Sequence, residues 1–187
     1  MIRAVLVAFW IALPSGAFAC ACCAEPGERS ESEHFLENAD GLGDAMSRAD
    51  RAHVFTTACG NDCVTGIKTP EESYDLRSVS EDRVLHLSLS GVENSGTLSL
   101  ALPLTYRLFK VDTAPEPRLM ASLYTEFRIG VVVNGTGAFQ TERPTLGELV
   151  LSGTGNHCML LDQASHWTLS VESGETGFRL YGPLGQE

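Results

Sequence analysis

Polar and apolar residues alternate through much of the chain beyond residue 80. In "RVLHLSLS", Leu85, Leu87 and Leu89 share one parity, and His86, Ser88 and Ser90 share the other. "TLSLALPL" repeats the pattern with Leu98, Leu100, Leu102 and Leu104, and "HWTLSV" repeats it with Trp167, Leu169 and Val171. Side chains alternate across a strand, so each run covers a core with one face and meets water with the other. The stretches "GVENSG", "DTAPEPR" and "ESGETG" are rich in Gly, Pro and Asn and suit hairpins or short loops. The second half shows no pattern of a crossover helix. The pattern predicts a mainly β protein, an antiparallel β-sandwich or a partly closed barrel, with an irregular, partly helical N-terminal arm.

The arm, residues 20–50, precedes a β-rich domain spanning 51–187. Ser30 with Glu33 three residues on forms a capping-box pattern, which predicts a short helix through Phe35 and Leu36. Gly41 and Gly43 are expected to stop it, with "DAMSRAD" as a further turn of helix.

One phrase recurs within the β domain. "VVVNGTGAF" and "ELVLSGTGNH" each place Gly-Thr-Gly after a short apolar strand, at Gly135–Gly137 and Gly153–Gly155. Glycine inside a strand marks a bend or a close backbone approach, and it also suits a ligand lying against bare backbone. The bend is the favoured reading. Neither copy has the Lys-Ser/Thr tail of a phosphate loop.

The first nineteen residues, "MIRAVLVAFWIALPSGAFA", change the picture. Arg3, the apolar run from Ala4 to Leu13, the break at Pro14–Gly16 and the small residues Ala17 and Ala19 follow the layout of a secretory signal. The apolar run is too short to cross a bilayer comfortably, and no later stretch is long and apolar enough for a membrane helix. Cleavage after Ala19 predicts an exported protein, periplasmic or extracellular, beginning at Cys20. Ala17 and Phe18 depart from the branched-then-small pattern of a lipid-attachment signal, which argues against acylation of Cys20. Losing Arg3 leaves 12 Lys+Arg against 24 Asp+Glu, a charge of −12 where the whole chain has −11. That acidity argues against nucleic acid and anionic lipid surfaces as partners.

Export makes disulfides permissible. Six cysteines follow the leader: Cys20, Cys22, Cys23, Cys59, Cys63 and Cys158. The even count suits full pairing, but six half-cystines allow ~15 connectivities. Cys59 and Cys63 flank Gly60, Asn61 and Asp62, so their sulfurs can meet across a tight turn or each can reach an N-terminal cysteine. The cluster Cys20, Cys22, Cys23 has a second reading as thiolate ligands for Cu(I) or Zn(II), although it lacks the paired C-x-x-C arms of a zinc site. Structural disulfides are the favoured use.

"GNHCMLLDQASHW" gathers His157, Cys158, Met159 and His166. Blue-copper centres use these residue types, but the order here is wrong, and in an extended segment Cys158 points away from its two neighbours. A buried or disulfide-bonded Cys158, a core Met159 and strand-edge histidines are expected instead. His34, His53 and His86 stand alone, and no nucleophile motif is present. The sequence therefore reads as an exported, non-enzymatic β domain acting as a binding or surface-associated module of unknown ligand. The alternatives are a soft-metal-handling protein built on Cys20, Cys22 and Cys23, and a barrel that encloses a small apolar ligand.

Overall fold

The computed structural model describes residues 25–37, 39–56, 71–113, 122–173 and 176–185. Ten strands form one antiparallel sheet: β1 (Arg29–Phe35), β2 (Arg51–Thr56), β3 (Glu71–Glu81), β4 (Val84–Ser90), β5 (Ser95–Ala101), β6 (Thr105–Asp112), β7 (Leu123–Gly137), β8 (Thr145–Gly155), β9 (His166–Ser173) and β10 (Thr176–Pro183). Among the described residues one helix, α1 (Ala39–Ser47), lies between β1 and β2, and a 3-10 turn covers Leu161–Gln163.

The sheet closes on itself. The C-terminal half of β7 pairs with β5 on one edge, from Ala101↔Val132 to Gly96↔Gly137. Its other edge pairs with β8 over the whole length from Leu123↔Gly155 to Val133↔Thr145. The order β7-β5-β4-β3-β2-β10-β9-β8 and back to β7 is a closed eight-stranded barrel. β6 and β1 lie outside that ring: β6 pairs with the N-terminal half of β7, and β1 adds to the far edge of β6 as a two-stranded wing.

The inward positions are those the alternation marked. Leu85, Leu87, Leu89, Leu98, Leu100, Trp167, Leu169 and Val171 are all buried, joined by Ile129, Val131 and Val133 from β7 and Leu149 and Leu151 from β8. An eight-stranded barrel is just wide enough for side chains to fill its interior. Each fully buried Leu or Val contributes ~1.5–3 kcal/mol relative to exposure.

Both ends are stoppered by the chain. At one end α1 lies across the opening with Leu42, Ala45 and Met46 buried. Arg48, just beyond it, donates to the carbonyls of Ala164 and Gly185. At the other, the turn after β7 folds Phe139 inward, with its ring edge-on to Tyr74 at 5.1 Å and tilted on Phe178 at 5.4 Å.

Three local expectations are corrected. The segment Ser30–Phe35 is strand, because β6 offers it a complete register from Arg29↔Val111 to Phe35↔Thr105 and outweighs the capping-box signal. The helix comes later and contains Gly41 and Gly43 instead of stopping at them. A Cβ on Gly43 would lie 2.5 Å from the Ser80 Cβ, so the glycine permits the helix to settle against β3. Burial of Leu42 and Met46 offsets the ~1 kcal/mol that a helical glycine costs. Finally, β5 ends at Ala101, and Leu104 is 69% exposed rather than in the core. Pro103 has no N–H to continue a ladder, and the chain bends there before resuming as β6.

Candidate functional site

Of the cysteines, Cys20, Cys22, Cys23, Cys59 and Cys63 lie outside the described residues. Cys158 lies in the connection between β8 and β9, exposed and disulfide-bonded. Its segment is a turn and not an extended run: Met159 N–H donates to the Asn156 carbonyl, and Cys158 N–H to the Asn156 side chain at 2.9 Å. Consequently the three neighbours diverge. Met159 is buried against β8, Cys158 is at the surface, and His157 faces Glu28 at the N-terminal side of β1. His166 makes its contact with the Ser165 hydroxyl, 2.9 Å from Nδ1. Among the described residues no group of three or more His, Cys, Asp and Glu is placed to hold a metal ion.

The two Gly-Thr-Gly phrases are sites of close approach by the chain itself. A Cβ on Gly135 would overlap the carbonyl of Phe139, and one on Gly153 would lie 2.5 Å from the Met159 Cε. Gly137 has φ 64°, in the left-handed region that turns the chain back over the barrel end. The chain's own Phe139 and Met159 segments therefore occupy both bare faces.

The feature that sequence reasoning missed lies where the wing meets the barrel. In "TYRLFKVD", Lys110 is in phase with Leu108, which put an ammonium on the inward face of β6. It is only 7% exposed. Its Nζ donates to the carbonyl of His157. Burial pulls the Lys110 ammonium below the usual lysine range, and the Glu28 carboxylate opposes that pull. The same Glu28 stands 3.1 Å from His157 Nδ1. That contact lies off hydrogen-bond geometry, so its attraction is one of charge when the imidazole is protonated. Directly across the ladder from Lys110 is Thr125, 0% exposed, its hydroxyl without a hydrogen-bond partner.

Glu28 is held in place by its backbone. The Asp112 N–H donates to the Glu28 carbonyl at 2.8 Å. The Asp112 carboxylate in turn accepts the N–H groups of Gly27 and Ser122, at 2.8 and 3.2 Å. The result is a polar clasp joining residues 25–28, β6 and the turn at 156–159. Chemically it fixes three segments; the ammonium is spent on a backbone carbonyl.

The outer wall is different in character. Arg107 bridges Glu31 at 3.3 Å and Glu148 at 3.0 Å, crossing from β1 through β6 to β8. Arg128 pairs with Glu126, which also accepts from the Tyr124 hydroxyl at 2.8 Å. Arg29 and Arg128 both lie over the Phe109 ring, at 5.9 and 5.0 Å. Burial pushes the Tyr124 hydroxyl up, and the bond to Glu126 adds to it. Among the described residues, two open clefts on this wall stand out. One, of about 440 Å³, is lined by Arg51, Ser73, Asp75 and Ser90 among others; the second, of about 500 Å³, by Leu146, Gly147, Glu148, Ser170 and Arg179. Leu146, 76% exposed, gives the second cleft an apolar border.

Set against protein-family models, curated proteins and solved structures, the chain matches none of them.

Proposed function

We propose that the protein is an exported, non-enzymatic β-barrel module, held by structural disulfides, that acts by binding through its outer wall. The observation that carries the reading is the pair of stoppers: α1 at one end and Phe139 at the other cover an interior already filled with Leu, Val, Ile and Trp side chains. Recognition then falls to the outside. The wall offers mixed charge in fixed positions, rows of hydroxyl groups, and a cleft with an apolar border flanked by Glu148 and Arg179. An anchored carboxylate and guanidinium beside apolar area suit a polar ligand with one greasy face, because each fixed charge orients what the apolar contact retains. The leader supports export, and export supports sulfur pairing.

The test is the exported protein itself. Its N-terminal residue is read by sequencing, and its intact mass is taken with and without reductant and under native conditions. A chain starting at Cys20 whose mass rises on reduction agrees with the reading. Six free thiols would overturn the disulfide framework. Stoichiometric Cu(I) or Zn(II) lost on converting Cys20, Cys22 and Cys23 to serine would replace it with metal handling, and a co-purified apolar molecule would replace it with a ligand-enclosing barrel.

A further inference from the structure

We propose that the free edge of β1 is a docking site for an extended segment of another protein, which adds to the wing as a further antiparallel strand and carries basic residues at two alternate positions. The site goes beyond the outer-wall reading above. It is a sheet edge, and it stands or falls separately from any ligand of the barrel wall.

The register fixes which backbone groups of β1 are already committed. The Leu36 N–H donates to the Leu104 carbonyl and the Asp112 N–H to the Glu28 carbonyl, so the bonded pairs bracketing the ladder fall on even-numbered residues of this segment. Bonded and non-bonded pairs alternate in an antiparallel ladder, which turns Ser30, Ser32 and His34 toward β6 as well. Arg29, Glu31, Glu33 and Phe35 therefore point their N–H and C=O groups the other way. β1 ends the strand order, and among the described residues no strand pairs with that side. All seven residues of the strand are exposed.

A row of unpaired backbone groups is complementary to another backbone, so a polypeptide strand is what fits it. The side chains then select which strand. Arg29, Glu31, Glu33 and Phe35 share the face that carries Arg107. Arg107 is divided between Glu31 and Glu148, at 3.3 and 3.0 Å, and all three side chains are about half exposed, so its hold on Glu31 is weak. The Glu33 carboxylate accepts from the Thr105 hydroxyl at 2.8 Å and, among the described residues, forms no ion pair. Two carboxylates at alternate positions thus line the edge, on a chain of net charge −11.

A second copy of this chain is a poor occupant. Antiparallel pairing of β1 with itself about Ser32 sets Glu31 opposite Glu33 twice, and like charges directly opposite destabilise a sheet. Sliding by one repeat either way sets Glu31 or Glu33 against its own copy and shortens the ladder. A basic strand meets no such conflict. Run antiparallel, its residues opposite Phe35, Glu33, Glu31 and Arg29 read from its N-terminus as apolar, basic, basic and acidic, at every second position. The acidic chain draws such a segment in, and the backbone ladder sets its register. The glutamates that deter self-pairing are the ones that choose the partner.

The test uses the whole protein and a synthetic peptide of the pattern Val-Thr-Lys-Thr-Lys-Thr-Glu, with amide hydrogen exchange followed by NMR. Binding is expected to slow exchange at Arg29, Glu31, Glu33 and Phe35 and to leave Ser30, Ser32 and His34, already bonded to β6, as they were. Glu31→Lys together with Glu33→Lys is expected to weaken the peptide about tenfold, and a peptide with Glu in place of both Lys is expected to bind that variant in its stead. N-methylation of the two Lys residues of the peptide removes ladder donors with every charge kept, and is expected to abolish binding. Binding that survives N-methylation would show attraction of charge without strand addition and overturn the proposal. So would the absence of slowing at the four odd-numbered positions. A dimer in light scattering whose formation protects the same four amides would give the edge to a second copy, and the foreign strand would be wrong.

Discussion

Gly135 and the carbonyl of Phe139 are in such close approach that no side chain fits between them: a Cβ on the glycine would overlap the oxygen. The neighbouring backbone is tied as well, since the Gly135 N–H donates to the Thr141 hydroxyl at 3.0 Å and its carbonyl accepts from the Thr141 N–H. Gly135→Ala must therefore push the whole turn off the barrel end. A loss of ~3 kcal/mol or more in urea denaturation is expected, with a lowered thermal midpoint. Gly130, in the same strand, has open space where its Cβ would go. Gly130→Ala is expected to be neutral or to stabilise by up to ~1 kcal/mol, because it restricts only the unfolded chain. Equal losses at the two sites would refute the close-approach account.

The stopper itself makes a second prediction. Phe139 is wholly buried and in ring contact with both Tyr74 and Phe178. Phe139→Ala is expected to cost ~3–5 kcal/mol through lost contacts and the void left behind. It also opens that end of the barrel. Binding of a fluorescent apolar probe by the variant, with none by the parent, is the confirming readout; unchanged stability would mean the ring is not a stopper.

The strands were legible because one face of each is buried and the other wet, which writes a period of two into the letters. Leu85, Leu87 and Leu89 are the clearest case, and all three are in the core. What could not be read is what depends on partners distant in sequence. Ser30–Phe35 carries a local helix signal but becomes a strand because β6, some 75 residues away, completes its ladder. The hairpin between β3 and β4 turns on Asp82 and Arg83, with φ 47° and 62°, where the usual Asn-Gly signature is missing. Barrel closure rests on β7 being long enough to pair on both edges, and no count of alternating residues shows that. Of the candidate site, the sequence marks His157, Cys158 and Met159. The phase of Lys110 with Leu108 is the single sequence signal that marks it.

Lys110 and Thr125 face each other in the ladder, and their substitutions are expected to move stability in opposite directions. Lys110→Met keeps the stem but leaves the part-buried His157 carbonyl without its donor and Glu28 without its counter-charge. A buried acceptor stripped of its partner costs ~1–3 kcal/mol. Thr125→Val removes a hydroxyl that is buried and unbonded and replaces it with a methyl of the same shape. A gain of ~1 kcal/mol is expected, since the desolvation of that hydroxyl is no longer uncompensated. Chemical denaturation of the two variants against the parent decides the matter. A loss on Thr125→Val would show that the hydroxyl has a partner after all.

Alkaline titration gives the last prediction, and its sign follows from which state holds its protons longer. Burial raises the hydroxyls of Tyr74, Tyr106 and Tyr124, with Glu72 reinforcing the first and Glu126 the third. Each therefore keeps its proton in the folded state above the ordinary value near 10, while the unfolded chain releases it. Stability contributed by these groups is complete below about pH 10 and is lost as pH climbs beyond it. Lys110 works the other way. Its lowered value means the unfolded chain holds the extra proton, so stability from this group rises with pH until about 10.5, the ordinary lysine range. With three groups against one, the urea midpoint is expected to fall as pH climbs beyond about 10.5, and Lys110→Met to flatten the approach to the maximum below that range. Tyrosinate absorbance at alkaline pH is expected to lag behind that of the urea-unfolded chain and to catch up only as the barrel opens. Superimposable folded and unfolded titration curves would show that these hydroxyls meet water as freely as those of a loose chain, and the burial that defines the barrel's interior and wing would be wrong at all three positions.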